Sequence, residues 1–247
     1  MMRRVAVLGD VHGNAVALRA VLDELSREAV DGVVWTGDLS WGWQPGETLE
    51  LVSSVTRPAR YVRGNAERAL LELAAGTRNN ATERDTWMLD THTDEQLAFI
   101  ATFAERVSLD IEELGSTLFC HGSPRGDNEC LTAETTAERI TEAMAGVGER
   151  VLVTGHTHCQ YDREVAGVRT INPGSVGMPY EGRSGAAFWA VLGRGVELRC
   201  TEYSLEEALE KVGASGDPAA KQMVEMLASP ASPAEVIEHA ERVQFSD

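Results

Sequence analysis

The residues best suited to chemistry in this chain are histidines and polar side chains that directly follow short apolar runs. The clearest example is the apolar run 151–153, after which come Gly155, His156 and His158. A buried strand that ends in such a turn places two imidazoles side by side, where they suit one metal ion or two neighbouring ions. A single pair of this kind is more often ordinary packing, so the metal interpretation depends on whether the arrangement recurs.

The arrangement recurs four times upstream, each time at the end of an apolar run. The four motifs are Gly9-Asp10-x-His12, Gly37-Asp38, Gly64-Asn65 and His121-Gly122. Ligands of open α/β sheets bind outside the carboxyl ends of the strands, and glycine lets the backbone turn sharply there. The sequence therefore predicts one site built from seven candidate metal ligands, namely Asp10, His12, Asp38, Asn65, His121, His156 and His158.

Seven ligands are too many for one ion and suit two divalent ions that share a carboxylate. The mixed oxygen and imidazole set predicts Mn, with Fe, Zn or Ni as alternatives. Two ions about 3.5–4 Å apart hold a hydroxide between them and clamp phosphate oxygens on both sides. The remaining histidines, His92 and His239, fall in a polar loop and a tail helix, where solvent exposure explains them.

The elements that must position these ligands alternate at first between strand and helix. Apolar runs and helical spacing predict strands at 4–8, 32–36 and 59–63, with helices at 15–25 and 47–54 and a third helix that follows the turn at 64–67 and ends at residue 73. This alternation indicates a mostly parallel sheet with helical crossovers. The following segment, 76–93, is either a partly helical flap over the site or a surface connection.

The second half of the chain changes to short strands. A hairpin at 106–113 and 116–120 and a helix at 133–144, capped by Thr132, precede strands at 151–153, 160–165, 168–172, 186–192 and 196–201. From residue 204 the chain is helical, with breaks at 213–218 and 229–233. We expect one domain over residues 1–247, with a catalytic core at 1–203 and a helical tail at 204–247.

Composition excludes several classes of protein. The 247 residues are 43% hydrophobic but contain no apolar run of 18, so we expect a folded core and no membrane span. The net charge of −17 repels nucleic acid, and an anionic substrate needs local positive charge, which divalent ions supply. Four cysteines without CxxC spacing, and the lack of a signal peptide, predict a cytoplasmic protein with reduced thiols.

The order of the five motifs is similar to that of the calcineurin-like metallophosphoesterase superfamily. The series Asp-x-His, Gly-Asp, Gly-Asn-x-Glu, Cys-His and Gly-His-x-His covers roughly residues 5–191, and the loop from Asn172 to Ser175 resembles the bacterial YfcE-type branch. The resemblance implies an α/β fold, a four-layer αββα sandwich of two mixed β-sheets, with a dinuclear site at their shared edge. A short helical C-terminal tail follows that sandwich.

The resemblance also assigns roles to the ligands. It implies one ion held by Asp10, His12 and His158, a second held by Asn65, His121 and His156, and a bridge formed by Asp38. Asp38, Asn65 and His121 are then the catalytic candidates, and the implied reaction is direct in-line attack on phosphorus by a metal-bridging hydroxide. Candidates for gripping phosphate are Arg63, Arg125 and Arg183, with surface salt bridges as the alternative for each.

One departure from the resemblance concerns the acid that protonates the leaving group. Many relatives have histidine after the asparagine of the third motif, where this chain has Ala66. The adjacent Glu67 lies at a helix start, which favours its ionised form and makes it a poor acid. We therefore expect a preference for leaving groups that need no proton. Trp41 and Trp43, in the loop after the second motif, are candidates for stacking on a substrate ring, with packing inside the protein as the alternative.

The substrate stays open at this level. We expect a phosphodiester or phosphomonoester of a small molecule, with nucleic acid disfavoured and a homo-oligomer left open. The alternatives are a protein serine/threonine phosphatase, which must admit a peptide, and a non-catalytic scaffold, which would have lost ligands. Because all seven ligands are present, the sequence favours an enzyme.

Overall fold

Residues 1–246 are described by a computed structural model, in which they form ten strands and nine helices. The strands are β1 (Val5–Leu8), β2 (Gly32–Trp35), β3 (Ala59–Tyr61), β4 (Arg106–Ile111), β5 (Gly115–Cys120), β6 (Val151–Val153), β7 (Tyr161–Val165), β8 (Val168–Asn172), β9 (Ala186–Leu192) and β10 (Val196–Glu202). The helices are α1 (Ala15–Leu25), α2 (Pro45–Ser53), α3 (Asn65–Ala74), α4 (Glu83–Asp90), α5 (Asp94–Ile100), α6 (Ala137–Ala143), α7 (Leu205–Ala214), α8 (Ala220–Ala228) and α9 (Pro233–Val243). None of the helices within residues 1–246 has both the length and the apolar character needed to span a bilayer.

The strands form two five-stranded mixed sheets. In the first sheet the order is β10-β9-β1-β2-β3, with β1, β2 and β3 parallel and the other two antiparallel to their neighbours. In the second sheet the order is β4-β5-β6-β8-β7, with β5, β6 and β8 parallel and the two edge strands antiparallel. The parallel strands of each sheet bring their carboxyl ends to one edge, where the predicted ligands follow β1, β2, β3, β5 and β6.

Alternate strand residues pack the two sheets face to face. Val5, Val7 and Val34 of the first sheet share one buried cluster with Phe119 and Val153 of the second. The outer face of the first sheet packs on α1, α2, α3 and α5, and the outer face of the second packs on α6. The predicted four-layer αββα sandwich is therefore confirmed.

The C-terminal helices fold back onto this sandwich at two places. Helices α7 and α8 pack on Trp43, in the loop after β2. Helix α9 is held near α6 by Glu241, whose carboxylate accepts hydrogen bonds from Thr132 (2.6 Å), Thr135 (2.5 Å) and Arg139 (2.8 Å). The helical tail is confirmed, and the description of residues 1–247 as one domain stays a prediction.

Helix α6 begins four residues later than the sequence predicts. The expected cap, Thr132, donates its hydroxyl hydrogen bond to Glu241 of the tail. The cap is instead Thr136, whose hydroxyl accepts from the backbone N–H of Arg139 at 3.4 Å. The hydroxyl oxygen of Thr132 still accepts a hydrogen bond from the N–H of Glu134 (3.1 Å), so this residue stabilises a turn that precedes the helix.

Candidate metal centre

The predicted ligands lie in turns where the backbone adopts an unusual conformation. Asp10, His12, Asp38, His156 and His158 all have positive φ, from 47° to 68°. Residues other than glycine avoid this left-handed region, and each one held there costs about 1–3 kcal/mol. Five of the nine such residues within 1–246 belong to this set, so the strained backbone is concentrated at the strand ends.

The first group of ligands gathers at the ends of β1 and β6. The Nε2 atoms of His12 and His158 lie 3.1 Å apart, and Asp10 Oδ1 is 3.2 Å from His158 Nε2. One ligand atom from each of these three residues lies within 4.8 Å of the others. Because metal–ligand bonds are about 2.0–2.2 Å long, this is the spacing of ligands around a single ion.

The second group lies at the ends of β2 and β5 and at the start of α3. His121 Nε2 is 3.0 Å from Asn65 Oδ1 and 3.4 Å from Asp38 Oδ2. Asp38 Oδ2 is also 3.7 Å from His12 Nε2, so this carboxylate lies between the two groups. The ring centroids of His121 and His156 are 5.1 Å apart. The structure thus brings all seven predicted ligands together, and their individual roles stay a prediction.

Hydrogen bonds to the backbone fix three of these imidazoles. In His12, His121 and His158, Nδ1 pairs with a backbone carbonyl oxygen, that of Trp41 (3.3 Å), Thr36 (2.7 Å) and Met178 (2.7 Å), respectively. A carbonyl oxygen only accepts, so Nδ1 carries a proton, and Nε2 of a neutral ring then presents a lone pair to the site. The backbone therefore sets the direction of each ring and leaves Nε2 as the atom that faces the site.

The facing imidazole nitrogens of the site suit a cation. With both Nδ1 atoms bonded to carbonyl oxygens, the Nε2 atoms of His12 and His158 face each other at 3.1 Å, where they can share one positive charge, either a proton or a metal ion. Asp10 Oδ2 is buried without a hydrogen-bond partner among residues 1–246, which is costly for a carboxylate. Divalent cations satisfy both groups, so the donor set fits the metals that the sequence predicts.

The electrostatics of the site favour a cation as well. Burial lowers the pKa of His12 and that of His156 to about 4, so both rings are neutral near pH 7. Burial also acts to lower the pKa of His121, but the Asp38 and Asp10 carboxylates outweigh it and raise that pKa to about 10. The negative charges of Asp38 and Asp10 stabilise the proton on His121, and the same charges attract a divalent ion to this place.

The carboxylate of Glu67 holds the backbone around Asp38 in place. This buried carboxylate accepts hydrogen bonds from the backbone N–H groups of Asp38 (2.8 Å), Leu39 (2.7 Å) and Gly64 (2.8 Å). Burial and the charge of Asp38 raise the pKa of Glu67 to about 7, against the effect of these three bonds. The raised pKa contradicts the expectation that the helix start favours the ionised form of Glu67, and the structure shows instead that its carboxylate fixes two turns of the site.

Comparisons with known proteins decide the family. The calcineurin-like phosphoesterase superfamily domain matches residues 2–192, which is most of the chain. The chain belongs to this superfamily. The superfamily predicted from the five motifs is confirmed, and the predicted YfcE-type branch is consistent with it. Membership of the superfamily supports hydrolase activity. Helices α7, α8 and α9 lie beyond the matched residues.

Individual relatives of this superfamily member are distant in sequence. An uncharacterized protein of Methanocaldococcus jannaschii is 23% identical over 228 residues, 84% of this chain and 91% of that protein. A symmetrical bis(5′-nucleosyl)-tetraphosphatase of Hamiltonella defensa is 31% identical over 145 residues, 57% of this chain and 51% of that enzyme. The crystal structure of a metallophosphoesterase from Sphaerobacter thermophilus shares the fold, with a TM-score of 0.71, 24% identity, and coverage of 93% of this chain and 99% of that one.

An arginine-rich cavity of about 350 Å³ lies beside the second group of ligands. It is lined by His121, by residues of the loops after β3 and β5, among them Arg63 and Arg125, and by Arg68 of α3 and Arg106 of β4. This cavity, which we call the arginine cavity, provides positive charge next to the centre of this superfamily member. Positive charge there suits phosphate oxygens.

The three arginines predicted to grip phosphate occupy different places. Arg63 and Arg125 line the arginine cavity, where Arg63 donates to Glu105 (2.8 Å) and Arg125 Nε donates to the buried Glu129 (3.0 Å). Arg183 forms a surface ion pair at the end of β10 and lines neither cavity at the centre. The structure therefore groups two of the three candidates with the ligands.

A second cavity, of about 340 Å³, also opens on the ligands, and we call it the tail pocket. Its lining consists of His12, Asp38, Trp41, Asn65, Ala66, Ala69, Arg78, Arg84, Met178, Gln222, Met223 and Met226. The last three belong to α8 of the tail. These three residues are not predictable from the sequence, because helical periodicity indicates a helix without showing where that helix packs.

The two tryptophans after Asp38 have separate positions. Trp41 lines the tail pocket. Trp43 is 3% exposed and packs on α7 and α8, so for this residue the alternative of internal packing is correct. Trp41 therefore remains the candidate for stacking on a substrate ring.

The segment 76–93 borders the site through its arginines. It contains α4 and contributes Arg78 and Arg84 to the tail pocket. The expectation that His92 is solvent-exposed is wrong, because this side chain is buried. Its Nδ1 pairs with the carbonyl oxygen of Met88 (2.7 Å) and its Nε2 with Ser40 Oγ (3.0 Å). His92 is thus held beside the site and does not line the tail pocket.

Residues 244–246 pass beside the second group of ligands. Phe245 forms a β-bridge with Glu129, and Ser246 Oγ lies 3.4 Å from His156 Nε2 and 3.5 Å from Cys130 Sγ. No local sequence signal marks this approach, because it depends on how the tail is folded back.

Proposed function

We propose that this chain is a phosphoesterase that binds two divalent ions and hydrolyses a phosphodiester or phosphomonoester of a small molecule. The observation that carries the proposal is the convergence of seven side chains that can bind metal, with the Nε2 atoms of His12 and His158 facing each other at 3.1 Å. Membership of the superfamily supports hydrolysis. The mixed oxygen and imidazole donors favour Mn over the alternatives Fe, Zn and Ni.

The chain contributes ligands that are held rigidly. We assign one ion to Asp10, His12 and His158, the other to Asn65, His121 and His156, and the shared position to Asp38. Bound ions of this kind lower the pKa of water and neutralise phosphoryl oxygens. Backbone carbonyls fix three imidazoles, and Glu67 fixes the turns that carry Asp38 and Asn65. We propose direct in-line attack by water, with no covalent enzyme intermediate.

Leaving groups that need a proton are disfavoured at this site. Ala66 lines the tail pocket where many relatives have histidine. Glu67 is bonded to three backbone N–H groups, and His92 is bonded to Met88 and Ser40. We therefore propose that phosphoanhydrides and aryl esters react faster than alkyl esters. The tetraphosphatase relative is named for such an anhydride, which supports this choice.

The alternative functions have less support. A non-catalytic scaffold of this superfamily would have lost ligands, whereas all seven converge here. A protein phosphatase needs an open groove for a peptide, whereas α8 forms a wall of the tail pocket. The four cysteines are free thiols, which supports the proposal of a cytoplasmic location.

The proposal is tested with Asp38→Asn. Asparagine keeps Oδ1 as acceptor for the N–H of Ala66 (2.9 Å) but removes the negative charge between the two groups. We expect fewer than two Mn ions per chain, and hydrolysis of bis(p-nitrophenyl) phosphate reduced by about 10²–10³-fold, with an unchanged circular dichroism spectrum. The matched control is Asp162→Asn, which removes a surface carboxylate paired with Arg169. Wild-type turnover in Asp38→Asn contradicts the proposal.

A further inference from the structure

The tail pocket joins the metal centre to a helix outside the superfamily match. The match ends at residue 192, and α8 begins at Ala220. Gln222, Met223 and Met226 of α8 nevertheless line the same cavity as the predicted ligand His12. A molecule whose phosphate lies on the ligands is therefore within reach of the tail.

The side of the tail pocket that α8 forms contains the thioether side chains of Met223 and Met226. Met178 and Trp41, from the loops near the ligands, add further apolar lining. Thioethers make favourable contacts with aromatic rings, and tryptophan stacks on them. Gln222 adds an amide that both donates and accepts, as the edge of a heterocycle requires. This lining favours a flat aromatic heterocycle over a sugar or an alkyl chain.

Two arginines bring positive charge to the same pocket of an acidic protein. Arg84 forms a bidentate ion pair with the buried Asp217, at 3.0 and 2.9 Å. The carboxylate contacts of Arg78 are longer, 3.6 Å to Glu72 and 3.9 Å to Asp85. Asp217 thus balances the charge of Arg84, whereas the more loosely paired Arg78 favours an anionic ligand in a chain with a net charge of −17.

Buried contacts hold the wall in place. Trp43 packs against Val212, Met223 and Leu227, which fixes α7 and α8 on the loop after β2. The pair Arg84–Asp217 ties α4 to the turn before α8. The resulting volume of about 340 Å³ lies in the usual range of small-molecule sites. The pocket is therefore preorganised for a ligand.

We propose that the tail pocket binds the base of a nucleotide whose phosphate lies on the metal centre, and that α8 is the element that selects this substrate. The inference rests on the phosphoesterase proposed above and adds its substrate class. It also gives the tail a function, since the superfamily match contains no part of α8.

The test measures binding of a base separately from binding of a phosphate. Calorimetry on the Mn-loaded protein compares the four ribonucleoside 5′-monophosphates with ribose 5-phosphate, which lacks only the base. We expect at least one nucleotide to bind about tenfold or more tightly than ribose 5-phosphate. Met226→Ala should reduce this preference about three- to tenfold and leave the affinity for ribose 5-phosphate unchanged.

The control is Val224→Ala, on the same helix but outside the lining of the pocket. It should leave the preference unchanged. If Met226→Ala does not fold, Gln222→Ala at an exposed position replaces it. The inference is overturned if the wild type binds ribose 5-phosphate and all four nucleotides with equal affinity. It is also overturned if the pocket variant and the control variant change the preference for a nucleotide equally.

Binding and turnover separate the two proposals. A protein that prefers nucleotides but hydrolyses no ester supports the pocket and contradicts the phosphoesterase. A protein that hydrolyses nitrophenyl esters without a preference for a base supports the phosphoesterase and contradicts the pocket.

Discussion

The pKa of His121 reflects two opposing effects at the site, burial and the negative charge of nearby carboxylates. Burial favours the neutral ring, but the nearby Asp38 and Asp10 favour the imidazolium and raise the pKa to about 10. A divalent ion needs the neutral Nε2 lone pair and replaces the positive charge that the proton supplied. Proton and metal therefore compete for the same atom.

We predict that Mn binding releases close to one proton per chain at pH 7, from His121. Below its pKa of about 10 the free ring holds a proton that the metal must displace, so affinity should rise about tenfold per pH unit as the pH increases. Calorimetry at pH 6.5–8.5 in buffers of different ionisation enthalpy measures the released protons. An affinity that is independent of pH over this range contradicts the competition.

We predict that Ala66 makes the rate depend strongly on the leaving group. Without an acid in the tail pocket, the departing oxygen keeps its negative charge, so the rate should fall steeply as the leaving group becomes more basic. Ala66→His should flatten this dependence, since a positioned acid contributes about 10²–10⁴-fold, and should help alkyl esters more than nitrophenyl esters.

A series of aryl and alkyl phosphodiesters measures this dependence under conditions where chemistry limits the rate. Ala69→His is the matched control, because Ala69 lines the same pocket one turn further along α3. A wild-type rate that hardly changes with leaving-group basicity would mean that another acid is present.

Several elements of the fold follow their local sequence closely. The predicted helix at 15–25 and the predicted strands at 168–172 and 186–192 have the bounds of α1, β8 and β9. These elements are predictable because their apolar residues face the core at a regular spacing. The burial of His92 and the packing of Trp43 are not predictable in this way. Each depends on a partner far away in the sequence.

The attachment of α8 is predicted to depend on Asp217. Asp217→Asn leaves the Arg84 guanidinium without its buried carboxylate, a loss of about 1–3 kcal/mol, moderated because the Arg84 side chain is 25% exposed. We expect faster hydrogen exchange in residues 205–228 and weaker nucleotide binding, with unchanged protection in β1, β2 and β6. The control is again Asp162→Asn. Unchanged exchange in the tail would show that the ion pair does not hold α8.

At the scale of the whole molecule, a site suited to cations lies within a strongly acidic chain. Its net charge of −17 concentrates divalent ions near the surface, and the two sheets bring motifs from residue 10 to residue 158 to one shared edge. The motifs predict which side chains meet, because strand ends of parallel sheets converge. They do not predict the two cavities beside the centre, because loops and tail helices from separate parts of the chain form the walls.

The number of metal ions per folded chain tests the central claim most directly. Protein stripped with a chelator is incubated with Mn, freed of excess metal by gel filtration and analysed by elemental mass spectrometry, with circular dichroism to verify the fold. Seven converging ligands with a shared carboxylate predict close to two Mn ions per chain. A saturated value of one ion or none in folded protein would contradict the dinuclear centre.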